Sequence, residues 1–598
     1  MLRILLVAAL ASAALASAGC ATVGEAEPAP VRDRAEEPVS WEPWSPDAFT
    51  RAGREGKLVL LYVEAVWCHW CHVMDHETYG DAAVARLVRD RYVAVRADAD
   101  ARPDLAERYR RWAWPATVVF APDGRELVKR RGFVPPARFA ALLARVAENP
   151  TAPSAESEPL PEVSDGLTDR VREALERRHD RAWDDGSPGL RLKKKRLDLD
   201  SVRHALRLAA DGDGAEEDRV RAWLDASLAL IDPVWGGVYQ YSHGGDWEHP
   251  HFEKIMSSQA TALGAYSAAA RQLDAPRWRH AAEAVARWLR DFATAPDGGF
   301  YTSQDADVVR GEHAEGYFAE DDAGRRALGI PAVDTNRYAR ENGWLIAGLV
   351  DLYRAGDDRA LAQAEGAARW VLANRQRADG GFDHGAEDHG ASFLGDGVAM
   401  GLGCFALWEA TGEHPWLDCA ERALAWVDAT FRGPDDVGYV TASAPPAPGL
   451  APVRTIDENL AVGRLAVRVL AVTEDPRWRA AAERALRWLA IPQVATSRLT
   501  DPGILDLADD LARGPVHITI VGRRTAPATT ALHRAALRVV SPFTVTELAD
   551  PDDPRPDHTL TYPVLDRPAL YACDARSCSP PVFAEGGVAA AVARLGRR

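Results

Sequence analysis

Basic side chains run short in this 598-residue chain, with 71 lysines and arginines against 88 acidic groups and a formal net charge of -17. That balance repels phosphate backbones, so nucleic acid is excluded as an expected partner. Long apolar runs are missing too: after Ala18 none is free enough of charge to span a bilayer. A membrane is expected as a partner only through a lipid anchor. No glycine-rich loop carries the lysine of a phosphate cradle, because the glycine pairs stand between helical segments, and no cofactor is expected. What the chain does have is apolar bulk. With 47% hydrophobic residues and 19 tryptophans it can fill large cores, which excludes a disordered or fibrous protein, and its length calls for several domains.

The opening "MLRILLVAALASAALASAGC" has one Arg, an apolar run to Ala18 and then small residues, the plan of a secretory signal peptide. Two processing sites compete. One is cleavage after Ala18; the other is lipidation of Cys20 in "SAGC", which resembles a bacterial lipobox with Ser17 where Leu is usual. The Pro, Ala and Glu-rich stretch that follows reads as a tether and favours the lipoprotein. Residues 1–20 are therefore expected as signal peptide and lipobox and 21–40 as tether. The protein is expected to be exported to the bacterial envelope, anchored to a membrane and facing the periplasm or the extracellular side.

From Lys57 an apolar strand run, "KLVLLYVEAVWC", delivers Cys68 to a segment of helical spacing that also holds Cys71. A strand Tyr92–Asp98, a helix after Arg102, two strand-like runs flanking a Pro-Asp-Gly turn and a last helix from Pro136 complete a unit over 41–148. The order resembles thioredoxin-like domains, on Trp67 before Cys68-His69-Trp70-Cys71, Pro115 before a strand, and the turn at Asp123-Gly124. A cysteine at a helix N-terminus has its thiolate stabilised by free amides and the helix dipole, so Cys68 is the expected nucleophile. Cys71, one turn on, is the expected resolving thiol. The resemblance implies a cis Pro115 facing the pair. His69 and His72 flank the thiols as tuning candidates, with Trp67 and with Glu64, because Tyr62 stands where thioredoxins keep a buried carboxylate. Cys68, Cys71, His72 and His76 can also supply four zinc ligands, but their spacing matches no common zinc module, and no metal is assigned.

A proline-rich linker over 149–166 leads into a different pattern. Amphipathic helices ending in Trp recur six times, several followed by a Gly-rich loop, at Gly236, Gly298, Gly380 and Gly438, and then by a second helix apolar nearly all round. Outer amphipathic and inner buried helices in about six pairs predict an (α/α)6 toroid over 167–514. In such a ring, polar residues at inner-helix starts and in the long loops face one central cleft. The candidates are His251, Glu253, Asp305, Asp307, Glu315, Asn342, Asp396 and Asn459, an acidic, aromatic and His-bearing set suited to a glycan. They serve equally well as polar groups that satisfy loop backbone. The basic run Arg191–Leu197 reads as a solvated loop. Residues 515–598 read as a small α/β appendage in which Cys573 and Cys578 are a possible disulfide, while Cys404 and Cys419 read as core thiols.

The motifs "WCHWCHVMDHET", "ARPDL", "WPATVVF", "PHFEKIM", "GGFYTSQDAD", "EGYF", "ENGWLIAGL" and "HITIVG" together resemble the family typified by the YyaL-type proteins and the spermatogenesis-associated thioredoxin-like protein. That resemblance implies a thioredoxin-like domain fused to a six-hairpin, glycosidase-like toroid. The chain departs from the family pattern at Glu341, where Trp is usual, and at Ala99, Asp100 and Ala101. The expected function is an exported thiol-disulfide oxidoreductase acting on a protein thiol or disulfide partner, with the toroid selecting or holding the substrate. The alternatives are a carbohydrate-active enzyme with a structural thioredoxin unit, or a glycan-binding scaffold without catalysis.

Overall fold

Strand-forming Val, Leu and Tyr residues between Lys57 and Ala65 build the centre of the first sheet, and everything that positions the cysteines hangs from it. The computed structural model describes residues 39–151, 163–312, 315–540, 543–554 and 562–595, without the side chain of Glu315. The expected signal peptide, Cys20, most of the tether and the middle of the linker lie outside the described residues.

The first domain comprises β1 (Glu42–Pro43), α1 (Pro46–Glu55), β2 (Leu58–Glu64), α2 (His69–Glu77), α3 (Ala82–Arg91), β3 (Tyr92–Asp98), α4 (Pro103–Tyr109), β4 (Ala116–Phe120), β5 (Glu126–Arg131) and α5 (Pro136–Glu148). Its sheet order is β1-β3-β2-β4-β5, parallel across the first three strands and antiparallel across the last two pairings. This is a thioredoxin-like arrangement. Because β2 is buried along nearly its whole length, it reads as a continuous apolar run.

The ring follows. Its helices are α6 (Asp169–Ala182), α7 (Leu199–Ala210), α8 (Gly214–Ser227), α9 (Met256–Gln272) and α10 (Pro276–Phe292), then two short ones, α11 (Glu315–Phe318) and α12 (Asp322–Leu328). The rest are α13 (Ala339–Arg354), α14 (Asp358–Asn374), α15 (Leu394–Thr411), α16 (His414–Thr430), α17 (Ile456–Thr473), α18 (Pro476–Leu489), the short α19 (Pro492–Ala495) and α20 (Gly503–Arg513). Helices α7, α9, α13, α15, α17 and α20 pack each against the next, and α20 packs back on α7. The inner ring is therefore closed, and the (α/α)6 toroid is the fold.

The Trp and Gly repeats have one physical cause. Each loop that returns to an inner helix lies flat on the indole of the next outer helix. A Cβ on Gly299 would meet Trp370 at 2.6 Å and one on Gly381 would meet Trp426 at 2.3 Å, so only glycine fits. The same loops are clamped by an amide one turn into the inner helix. Gln259 holds both backbone groups of Val238, Asn342 those of Phe300, and Asn459 those of Tyr439. Truncating a fully buried ring tryptophan such as Trp278 to Ala would cost about 3–5 kcal/mol.

Two small sheets decorate the loops: β6 (Tyr241–Ser242) with β7 (Pro250–His251), and β8 (Lys254–Ile255) with β9 (Ser303–Gln304) and β10 (Val333–Asp334). The C-terminal appendage has β11 (Val516–Val521), α21 (Pro527–Leu537), β12 (Thr544–Ala549), β13 (Ala569–Cys573) and α22 (Val588–Ala593), in sheet order β12-β11-β13. Cys573 and Cys578 are joined.

Two expectations need correcting. Cys404 and Cys419 are buried in the ring core but are also paired as a disulfide, because the short turn between α15 and α16 brings the two helices side by side. The run Arg191–Leu197 is not simply solvated: Lys195 is buried and donates to Asp184 Oδ2, Ser187 O and Leu190 O, clamping its own loop. No helix among the described residues is long and apolar enough to cross a membrane.

Candidate functional site

Strand β2 leads through Ala65, Val66 and Trp67 to Cys68, which caps α2, its Sγ accepting from the Cys71 amide at 3.2 Å. Cys68 and Cys71 form a disulfide with Cα atoms 5.2 Å apart. Tyr62, fully buried, donates its hydroxyl to Cys71 O at 3.0 Å, and burial pushes that phenol well up from its usual range. The Trp114-Pro115 bond is cis, and the pairing of Val63 with Ala116 sets Pro115 beside the end of β2 that delivers the cysteines. Trp70, the residue between His69 and Cys71, is 45% exposed.

The surroundings of this helix come largely from the ring. Pairing of Lys254 with Gln304 in β8 and β9, carried one residue further, sets Glu253 across from Asp305. Behind β8 the Lys254 ammonium and the Arg325 guanidinium share the buried Asp232 carboxylate, a fixed anchor for the strand. Beyond β9 the chain turns through Asp305 and Asp307 toward Gly311. Gly311 has φ +80° and passes so close to α2 that a Cβ there would contact His72 and Val73. Its amide donates to Asp307 Oδ2 at 2.8 Å.

Asp307 holds both histidines of the motif. His69 Nδ1 lies 2.9 and 3.0 Å from its two oxygens, and His72 Nδ1 lies 3.1 Å from Oδ2. His72 Nε2 donates to Val66 O at 2.9 Å, which leaves Nδ1 turned to the carboxylates, with Asp305 Oδ2 at 3.7 Å. Hydrogen bonding to Asp307 raises the His69 imidazole above its usual range. Burial works to raise the Asp307 carboxyl, but the bonds from His69, His72 and Gly311 outweigh it and hold it at about 2. Burial pushes Asp305 up to about 6, and it pushes Glu253 up to about 7 with the charges of Asp305 and Asp307 adding.

The remaining candidates sort by placement. Glu64 sits 3.3 Å from Arg96 Nη1, and Trp67 Nε1 donates to Asp100 Oδ2 at 2.8 Å. His251 stacks on Tyr241 and lies 3.9 Å from Glu253 Oε2. Glu315 opens α11, its side chain outside the described residues. Asn342 and Asn459 spend their amides on the loop clamps, and Asp396 accepts from Arg340 N and His384 Nδ1. These three do not line an open cleft, because the first domain covers that end of the ring: His384 Nε2 donates to Asp100 O at 2.7 Å and Trp44 Nε1 to Pro446 O at 2.9 Å. Both departures from the family pattern meet at this contact, where the charge of Glu341 adds to the burial that drives the Asp100 carboxyl up.

Sequence reasoning missed Asp98, Asp100 and His384. Asp98 Oδ2 accepts from Val66 N at 3.2 Å, and burial raises both Asp98 and Asp100. The signal for Asp98 and Asp100 was their position at the end of β3 and just past it, beside β2.

Residues 23–149 match the family described as "Protein of unknown function, DUF255", whose model is labelled as thioredoxin-like. The N-terminal region is a DUF255 thioredoxin-like domain. The chain is similar to spermatogenesis-associated protein 20 of Homo sapiens, 27% identical over 307 residues, 45% of this chain and 39% of that protein. It is also similar to an uncharacterized protein of Caenorhabditis elegans, 26% identical over 48% of this chain and 44% of the other. The chain thus spans less than half the length of these relatives. Among solved structures, cellobiose 2-epimerase from Bacillus thermoamylovorans is 11% identical with a TM-score of 0.42, covering 54% of this chain and 86% of its own. A thioredoxin from Thermus thermophilus is 29% identical with a TM-score of 0.17, over 18% of this chain and 86% of its own. In the present chain the DUF255 domain does not stand alone: its two motif histidines are held by a ring residue.

Proposed function

We propose that the protein is a thiol-disulfide oxidoreductase of the bacterial envelope, exported and anchored through Cys20, whose ring completes the environment of the reactive cysteines. The observation that carries this reading is the bridge from Asp307 to His69 and His72, set on a helix whose N-terminus holds a Cys68–Cys71 disulfide. In the reduced state the Cys68 thiolate attacks one sulfur of a substrate disulfide. That bond breaks, the departing sulfur takes a proton, and a mixed disulfide forms. Cys71 then gives up its proton and attacks the Cys68 sulfur, which releases the second substrate thiol and closes the Cys68–Cys71 bond. Two electrons pass from the protein to the substrate, and the reverse sequence returns them. The exposed Trp70 and Val66 offer an apolar footing beside Cys68 for an extended partner chain.

A Cys71→Ser variant is expected to accumulate a covalent adduct with a disulfide-bearing peptide, seen by intact mass. Asp307→Asn is expected to slow the exchange roughly tenfold or more by releasing both imidazoles. Absence of any adduct in Cys71→Ser, with a panel of disulfide peptides and envelope extracts, sinks the reading.

A further inference from the structure

We propose that His72, Asp305 and Asp307, with Glu253 as a fourth donor, form a binding site for a divalent transition-metal ion at the junction of the two domains. The inference goes beyond the thiol reading and does not depend on it.

The spacing is that of ligands. One donor atom from each of His72, Asp305 and Asp307 lies within 4.8 Å of the others, and the three side chains are only 1–2% exposed. Two donors held roughly 2.0–2.2 Å from one ion, at angles of about 90–110°, lie about 2.8–3.6 Å apart. His72 Nδ1 is 3.1 Å from Asp307 Oδ2, inside that range, and 3.7 Å from Asp305 Oδ2, just beyond it.

The histidine is oriented as a ligand. Its Nε2–H is committed to the Val66 carbonyl, the outer bond that fixes a metal-binding imidazole, which leaves Nδ1 as the ring atom facing the carboxylates. His384 has a similar two-sided arrangement but meets a single carboxylate, Asp396, and one proton serves it. At His72 one proton cannot serve both Asp305 and Asp307, whereas a doubly charged ion can.

An independent observation points to the same place. Glu253, with 6% of its side chain exposed, leaves Oε2 without a hydrogen bond among the described residues, and its strand register sets it opposite Asp305. A buried carboxylate oxygen with no partner is costly unless something is meant to meet it. His69 completes the arrangement from outside, holding Asp307 Oδ1 at 2.9 Å. One imidazole with carboxylates suits Zn²⁺, Mn²⁺ or Fe²⁺ better than Ca²⁺ or Mg²⁺, which take oxygen alone.

The test uses the full chain, oxidised so that Cys68 and Cys71 are bonded and cannot ligate. Zn²⁺ and Mn²⁺ are titrated calorimetrically, and retained metal is counted after gel filtration. One ion per chain is expected, bound roughly tenfold more weakly by Glu253→Gln and roughly a hundredfold more weakly by Asp305→Asn. Circular dichroism reports whether the variants fold; if Asp305→Asn does not, Glu253→Gln carries the test. Undiminished binding in the folded variants, or no ion retained by folded wild type, overturns the site. A chain with both Cys68→Ser and Cys71→Ser cannot exchange thiols through the α2 pair, so its retention of the ion separates this result from the fate of the redox reading.

Discussion

The two ends of the ring carry opposite charge and treat it differently. At the end covered by the DUF255 domain, the first turns of the inner helices bear Glu341, Asp396, Asp457 and Glu458, and Glu253, Asp305 and Asp307 crowd beside the thiol helix. At the other end a cavity of about 200 Å³ is lined by arginines, among them Arg271, Arg354, Arg464 and Arg468. Six aligned inner helices explain the polarity, since acidic groups are favoured at helix N-termini and basic groups at C-termini. The treatment differs. Most of the arginines are paired: Arg354 with Glu409 at 2.7 Å, Arg207 with Asp510 at 2.9 Å, Arg464 with Asp200 at 2.7 Å. At the acidic end Glu341 is paired with Arg340 and Asp457 with Arg110 and Arg498, but Glu253 Oε2 accepts no hydrogen bond among the described residues and Asp305 Oδ2 lies 3.7 Å from His72 Nδ1. Paired charge supports a fold, while a surplus of buried charge is tolerated where it does chemistry.

The same substitution at both ends tests that contrast. Glu409→Gln is expected to cost about 3–5 kcal/mol, because it strips the buried partner of Arg354; urea denaturation measures it. Acid attacks the same end. His533 is buried, its Nε2 donating to Glu409 O, and burial pushes its imidazole down to about 4, against roughly 6.5 in the unfolded chain. The folded state needs the neutral ring, so its contribution is whole above about pH 6.5 and is lost as pH falls toward 4. Wild type is expected to lose about 2–3 kcal/mol more than His533→Gln between pH 7 and pH 4.5. The smallest effect is expected at the acidic end. In metal-free buffer Glu253→Gln should shift stability by less than about 1 kcal/mol, or raise it, since Glu253 Oε2 accepts no hydrogen bond among the described residues. A large loss there would erase the distinction between the two ends.

Much of the architecture was legible because local rules dictate it. The buried strand β2, the Cys68 cap and the turn at Asp123-Gly124 are sequence-local, and the Trp and Gly recurrences follow from loops lying on indoles. The candidate site was half legible. Asp305, Asp307 and Glu253 stand out as acidic residues in ring loops, yet nothing local says that they meet His69 and His72, since that contact depends on how the first domain docks. Asn342 and Asn459 read as cleft residues by their polarity near an inner-helix start, as Asp307 did by its polarity in a long ring loop. Only the loop carbonyl and amide that each one holds tells them apart. Cys404 and Cys419 looked like two core thiols because their pairing depends on how α15 and α16 lie together.

Docking against a closed ring also sets an order in time. The cysteines are synthesised early, whereas the carboxylate that holds their histidines stands 238 positions after His69, and the carbonyl that receives the Trp44 indole stands 402 positions after it. Domains near the start of a chain fold while the rest is still being made. During that interval the thiol helix exists without its acidic neighbours. Until Asp307 has been made and has docked, His69 and His72 lack the carboxylate that holds them in the finished chain.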